Sequence, residues 1–298
     1  MNIVRTIPAL RAALAEPRHT GASIGLVPTM GAFHEGHLSL MRRARSDCDV
    51  VVVSLFVNPT QFNDPQDLEV YPREAERDER LAEEAGADYL FAPEPHDMYP
   101  PGFATSVSVS GLTEVLEGAQ RGRRHFDGVA TVVTKLFNIV EPDVAYFGQK
   151  DAQQALVIKR LVADLDFPVH VEICPTVREP DGLAMSSRNR LLSEPDRDRA
   201  LSLHRALTAV REAVGRGERD PDAARSAALR ELESAGVRTE YLELVAPETL
   251  EPTPSLRGET LAVVAASVGA IRLIDNETIN PLSTAPPSVA GSTENGRP

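Results

Sequence analysis

The chain has 298 residues, 42% of them hydrophobic and 25% charged, enough to bury one large core or two medium ones. Its formal charge of -13 argues against broad electrostatic attachment to nucleic acid or an anionic membrane, so an anionic substrate must be met by local donors. Only Cys48 and Cys174 are present, residues 1–17 lack a cleavable apolar signal, and no run approaches transmembrane length. A disulfide framework is therefore not expected, and a reducing cytoplasmic setting is.

A short strand near Ile3 and Val4 and an amphipathic helix over residues 7–15, ended by Pro17, lead into the organising stretch, residues 24–40. There an apolar run is broken by Pro28 and Gly31 and followed by Leu38, Leu40, Met41 and Ala44 at helical spacing, which reads as strand, turn and helix. Gly31 and Gly36 let backbone approach a ligand, and amides at a helix start favour an anion. His34 and His37, three residues apart, fall on one side of a helical turn where both can donate hydrogen bonds to phosphoryl oxygens. A zinc protease would need its histidines four apart with a glutamate directly after the first, and neither the dinucleotide fingerprint nor the P-loop pattern occurs. Taken alone, the two histidines also fit a helix cap or a solvated face.

Residues 50–57 form a continuous, largely apolar run rich in β-branched residues, as in a strand covered on both faces of a parallel sheet. The run stops at Asn58-Pro59-Thr60-Gln61-Phe62, which places polar side chains at a strand's carboxyl end, the ligand-binding edge of open α/β sheets. Tyr71-Pro72-Arg73 introduces a charged helix over residues 74–85, in which Asp78 is a candidate acid. Strands are expected at 87–91 and 105–109, with a loop or lid at 93–101 between them. Arg121, Arg123, Arg124 and His125 make residues 120–126 locally basic, which suits either a nearby anion or a surface loop.

Residues 129–140 have helical spacing, 144–147 are strand-like and 151–164 are amphipathic, so Gly148-Gln149-Lys150 repeats the strand-turn-helix design. A strand at 169–173 closes the sheet. Ser186, Ser187 and Arg188 then combine hydroxyls with a guanidinium, a set that can clasp phosphate but also serves as an ordinary N-cap and loop. Helices at 200–216 and 221–235, followed by strands at 239–245, 261–267 and 270–274, make an α+β pattern. The expected division is 1–176, 177–280 and a Pro/Ser/Thr-rich disordered tail over 281–298.

The segments from Pro28 to His37, Phe56 to Phe62 and Tyr71 to Arg73, with His125-Phe126-Asp127-Gly128-Val129, Phe147-Gly148-Gln149-Lys150-Asp151 and Met185-Ser186-Ser187-Arg188-Asn189, closely resemble the pantothenate synthetase (pantoate–β-alanine ligase) family. The resemblance runs in order over about residues 1–280, and six ordered motifs are far more specific than a lone His-x-Gly-His, which would indicate only the wider nucleotidylyltransferase superfamily. It implies a Rossmann-like parallel-sheet α/β domain with a smaller α+β C-terminal lid domain that closes over the site. It also implies a homodimer and an ATP-dependent condensation of pantoate with β-alanine through a pantoyl adenylate, releasing AMP and pyrophosphate.

By motif correspondence, His34, His37, Lys150, Ser186, Ser187 and Arg188 would act on the phosphates. Met30, Gly31, Gly36, Gly148, Gln149, Asp151, Val177 and Met185 would complete the ATP site. Gln61 and Gln154 would grip pantoate, with Met30, Val132, Val133 and Phe147 as apolar wall, and Asp78 would lie near Mg²⁺. Gln149, Ala152, Phe33 and Glu74 depart from the family's usual Glu, Tyr, Leu and Thr, which bears on fine tuning and the metal arrangement. The competing functions are another adenylyltransferase of the superfamily, whose product would retain AMP, and a silent nucleotide-binding protein.

Overall fold

The computed structural model describes residues 1–281, so nearly all of the expected tail lies outside the described residues. In chain order the first elements are β1 (Asn2–Val4), α1 (Ile7–His19), β2 (Ile24–Thr29), α2 (Glu35–Asp47), β3 (Val50–Leu55), α3 (Pro65–Val70), α4 (Ala75–Glu84), β4 (Tyr89–Phe91) and α5 (Pro95–Met98). They are followed by α6 (Glu117–Arg121), α7 (Arg123–Val140), β5 (Val144–Gly148), α8 (Ala152–Asp164), β6 (His170–Cys174), α9 (Glu194–Gly215), α10 (Pro221–Ser234), β7 (Arg238–Val245), β8 (Thr260–Val268) and β9 (Ile271–Ile279). Short 3-10 turns cover Pro59–Gln61, Gln149–Asp151 and Ser187–Leu191.

The chain divides into two compact units. In the first, six parallel strands pair in the order β1-β4-β3-β2-β5-β6. Side chains alternate across this sheet. Leu26, Val52, Ala145 and Phe147 pack with α1, α7 and α8 in one buried cluster, while Val27, Val51, Val53 and Tyr146 pack with α2 and α4 in another. Both faces are thus covered, which is why β3 is apolar at consecutive positions. Val51, Val52 and Val53 are each 0% exposed, and burying a side chain of this kind stabilises the fold by roughly 1.5–3 kcal/mol. From β2 the chain builds outward through β3 in one direction and later returns to place β5 on the other side of β2. The carboxyl ends of β2 and β5 therefore flank a topological switch point.

Some local expectations are corrected. Residues 105–109 alternate like a strand but join no ladder; the Val107 amide donates instead to Thr131 Oγ1 at 2.9 Å, so α7 satisfies it. Pro17 does not end α1, which continues to His19. The Pro17 ring nitrogen cannot serve the Ala13 carbonyl, and the Tyr89 hydroxyl donates to that oxygen at 3.4 Å. The basic stretch at 120–126 is neither a plain loop nor unpaired: it ends α6 and begins α7 around Gly122, and Arg121 Nε lies 2.8 Å from Glu117. Part of the 93–101 loop is the short helix α5.

The second unit comprises Val177–Ala184, Ser193–Pro247 and the described residues from Glu251. Its sheet is antiparallel in the order β7-β8-β9, and α9 and α10 belong to the same unit. Arg178 reaches Asp275 through two hydrogen bonds of 2.7 and 3.1 Å, pinning the 177–184 segment to β9. The first unit runs unbroken from Met1 to Thr176, and Met185–Leu192, which carries Ser186, Ser187 and Arg188, groups with it rather than with the second unit. Its ion pair to α4's N-cap residue is one physical reason, because Arg190 Nη1 lies 2.9 Å from Glu74.

Candidate active site

At the carboxyl end of β2 the backbone turns sharply, with positive φ at Gly31 (89°) and Ala32 (53°). A Cβ on Gly31 would lie 2.7 Å from Leu55 Cδ1 and 2.9 Å from Asp78 Oδ2, so only glycine fits there. The turn delivers His34 to the N-cap of α2 and His37 to its first helical turn. Their ring centroids are 4.1 Å apart. Gly36 makes this stacking possible, since a Cβ there would meet His34 Cε1 at 2.9 Å; Met185 Cβ stands 3.8 Å from the same point.

Burial, with His34 and Lys150 nearby, pushes the His37 imidazole from its ordinary 6.5 down to about 3. It is therefore neutral near pH 7. The His34 amide donates to His37 Nδ1 at 3.4 Å, which assigns the ring proton to Nε2. His37 can then give a hydrogen bond to an anionic oxygen without first carrying a charge, and an arriving polyanion would raise its proton affinity.

A second group sits at the carboxyl end of β3. Asn58 is 1% exposed, and its Nδ2 donates to Gln61 Oε1 at 3.0 Å and to Gly128 O at 3.1 Å. Asn58 Oδ1 accepts from the Tyr99 hydroxyl at 2.8 Å and the Thr60 hydroxyl at 2.9 Å. With its Oε1 held by Asn58, Gln61 is left with Nε2 as donor, 3.1 Å from Met30 Sδ. His125 Nδ1 contacts the Gln61 carbonyl at 2.8 Å, and burial together with Arg121 lowers this imidazole's proton affinity. Gln61 is thus fixed at both side chain and backbone.

At the carboxyl end of β5, Gly148 leads into the 3-10 turn of Gln149, Lys150 and Asp151. In α8 the two neighbouring glutamines separate. Gln153 is buried and its amide group donates to Leu112 O at 2.6 Å and Val115 O at 2.9 Å, whereas Gln154 is half-buried with no protein hydrogen bond to its carboxamide among the described residues. The Ser186 hydroxyl accepts from the Arg188 amide at 3.3 Å at the start of the 3-10 turn. Val132, Val133 and Phe147 belong to the buried core cluster and are at most 7% exposed, so they can offer only an edge to a ligand. Val177 lies in the second unit.

Three side chains that the residue types alone did not single out belong to this neighbourhood. Tyr71 is half-buried, and burial pushes its phenol up to about 12, with Arg188, Asp151 and Asp78 close enough to act on it electrostatically. Arg77 Nη1 donates to Phe33 O at 3.0 Å and pairs with Glu74 at 2.9 Å. Glu74 also takes Arg190, so one carboxylate touches both the helix gripping the histidine turn and the Ser-Ser-Arg segment. The Tyr-Pro-Arg motif was the signal for Tyr71, and the departure from the family's usual Thr was the signal for Glu74; nothing in the sequence marks Arg77.

Asp78 is 1% exposed, and its two oxygens accept from the Ala32 amide at 2.7 Å and the Phe33 amide at 2.8 Å. Burial raises its proton affinity, while these two amides act against that rise. Among the described residues no group of three or more His, Cys, Asp or Glu side chains is arranged to hold a metal ion.

Residues 2–278 match the model of the pantoate-beta-alanine ligase family. A pantothenate synthetase of Moorella thermoacetica is 54% identical over 277 residues, 93% of this chain and 98% of that protein. One from Cereibacter sphaeroides is 52% identical over 274 residues, 92% of this chain and 98% of that protein. Among solved structures, the pantothenate synthetase of Thermus thermophilus superposes with a TM-score of 0.90 at 50% identity, covering 94% of this chain and 100% of that one. A pantoate-beta-alanine ligase from Francisella tularensis, complexed with beta-gamma ATP and beta-alanine, has a TM-score of 0.78 at 34% identity and covers 94% of this chain and 99% of its own. The parallel sheet, the histidine turn at its switch point and these matches along nearly the whole chain agree, and the protein belongs to the pantoate–β-alanine ligase family.

Proposed function

We propose that this protein joins pantoate to β-alanine in two steps. A pantoate carboxylate oxygen attacks the α-phosphorus of ATP and pyrophosphate leaves; the β-alanine amine then attacks the acyl carbon of the pantoyl adenylate, AMP leaves, and the amine gives up a proton. Family membership supports the reaction, and the observation within the chain that supports it best is the neutral Nε2–H donor of His37 beside Lys150 at the switch point. The first step concentrates negative charge on non-bridging oxygens, so catalysis calls for positioned donors more than for covalent help. His34, His37, Lys150, Ser186, Ser187 and Arg188 are assigned to the phosphates.

Met30, Gly31, Gly36, Gly148, Gln149, Asp151, Val177 and Met185 are assigned to the nucleotide. Gln61 and Gln154 are assigned to pantoate: the first presents its donor end because Asn58 occupies its acceptor, and the second has a carboxamide with no hydrogen-bond partner among the described residues. Met30, Val132, Val133 and Phe147 line the gem-dimethyl side. Mg²⁺ is assigned as the counter-ion that arrives with ATP, in keeping with its habit of retaining water and binding substrate phosphates. The family resemblance further supports a cytoplasmic homodimer; no described helix is long and apolar enough to cross a membrane.

ATP–pyrophosphate exchange with Mg²⁺ and pantoate, β-alanine omitted, tests the reading. Exchange dependent on pantoate is expected, followed by AMP and pantothenate when β-alanine is added. No exchange from folded, ATP-binding protein would reject it in favour of another adenylyl transfer or a silent binder.

A further inference from the structure

The acid at the start of α4 has its carboxylate turned toward the chain itself. Ala32 and Phe33 are 0% exposed, so their amides must find partners inside the protein, and the Asp78 oxygens are the partners, at 2.7 and 2.8 Å. The backbone between them is unfavourable by itself, because Ala32 takes the left-handed conformation at φ 53°. Gly31 lies directly against Asp78 Oδ2 and leaves no room for even a methyl group. The preceding residue, Arg77, holds the Phe33 carbonyl at 3.0 Å. Two successive residues of one helical turn therefore grip three backbone groups of the segment that ends in His34. A carboxylate withdrawn to a metal would leave two buried amides without an acceptor beside a strained residue.

We propose that Asp78 is a positioning residue for the Gly31–Phe33 turn, and through it for His34 and His37, rather than a direct ligand of the Mg²⁺ that accompanies ATP. The chemical readout rests on the function proposed above; the structural readout does not. In Asp78→Asn one amide keeps an acceptor and the other faces an NH₂ group, so the turn relaxes and both imidazoles shift. A displacement on the order of 1 Å at reacting groups lowers rate about 100-fold.

The test begins on wild-type protein without turnover, by hydrogen exchange at the Ala32 and Phe33 amides in the metal-free state and after addition of Mg²⁺ and a non-hydrolysable ATP analogue. Both amides are expected to be slow throughout. Faster exchange on adding the metal complex would show the carboxylate leaving them and overturn the proposal. In Asp78→Asn, the two amides should exchange faster and the His34 and His37 ring resonances should move. The maximal pantoate-dependent exchange rate should fall by about 100-fold, while the Mg²⁺ concentration for half-activation stays within about 2-fold. A half-activation point raised about 10-fold or more, with the rate restored by saturating Mg²⁺, is the signature of a lost ligand and would also overturn it. Should the variant not fold, the wild-type amide experiment still decides. Should wild-type protein show no exchange activity, the proposed reaction fails while the amide measurement still tests the clamp.

Discussion

Replacing Gly128 by alanine tests how closely the pantoate-side turn is held. A Cβ there would lie 2.7 Å from Gln61 N, Thr60 C and Thr60 O, all backbone atoms, where ordinary contact begins near 3.4 Å. No side chain can move aside, so α7 and the Pro59–Gln61 turn must separate by roughly 0.7 Å, which lengthens the 3.1 Å Asn58–Gly128 hydrogen bond beyond useful range. Overpacking of this kind costs about 1–3 kcal/mol, or roughly 2–10 °C in unfolding midpoint for a unit of this size. A shift of that length at Gln61, set against about 100-fold per ångström at reacting groups, predicts a loss of about 10- to 30-fold in kcat/KM for pantoate. ATP should be affected far less, because the His34 turn grows from β2 and not from this contact. Pantoate-dependent ATP–pyrophosphate exchange, with each substrate varied in turn, reads the two effects separately. A variant within twofold of wild type for pantoate and with unchanged unfolding, or one that loses ATP and pantoate equally, would refute the argument.

Four shorter predictions accompany it. His37→Ala should lower the adenylation rate by about 100-fold or more while the fold is retained, because a positioned donor to the transition-state charge is lost; an unchanged single-turnover rate would remove the assigned role. Gln61→Ala should raise KM for pantoate more than that for ATP, and parallel losses would count against pantoate recognition. Because the folded state holds His37 neutral down to about pH 3 while the unfolded imidazole takes up a proton below 6.5, this residue should make stability fall as pH drops from 6.5 toward 3. The slope is at most about 1.4 kcal/mol per pH unit and is reduced by water at the half-buried ring; comparing wild type with His37→Gln at pH 7 and 5 isolates it from His125 and His204, and equal pH dependence in both would contradict the assignment. Arg178→Ala strands the carboxylate of Asp275, whose side chain is 3% exposed, and should destabilise the second unit by about 3–5 kcal/mol in denaturant unfolding; a loss below about 1 kcal/mol would show that the pair is not desolvated.

The linear order of residues was enough to locate the strand-turn-helix units, the doubly covered β3 and the motifs that mark the family. Those signals are local: an apolar run, a periodicity, or a spacing of polar residues is present in a dozen consecutive positions. The alternation at 105–109 failed for the complementary reason, since a strand needs a neighbour with free backbone groups, and Thr131 met the Val107 amide instead. Other features were invisible because they join residues far apart in the chain. Asp78 closing on Ala32 and Phe33, Asn58 orienting Gln61 with help from Tyr99, and Glu74 reaching both Arg77 and Arg190 each depend on where sheet and helices bring separate segments. The sequence by itself determined which donors this protein owns and which strand ends carry them. Only the tertiary structure decided which way those donors face and, for His37, whether the ring is charged, because desolvation and hydrogen-bond partners belong to the packed site rather than to the residue.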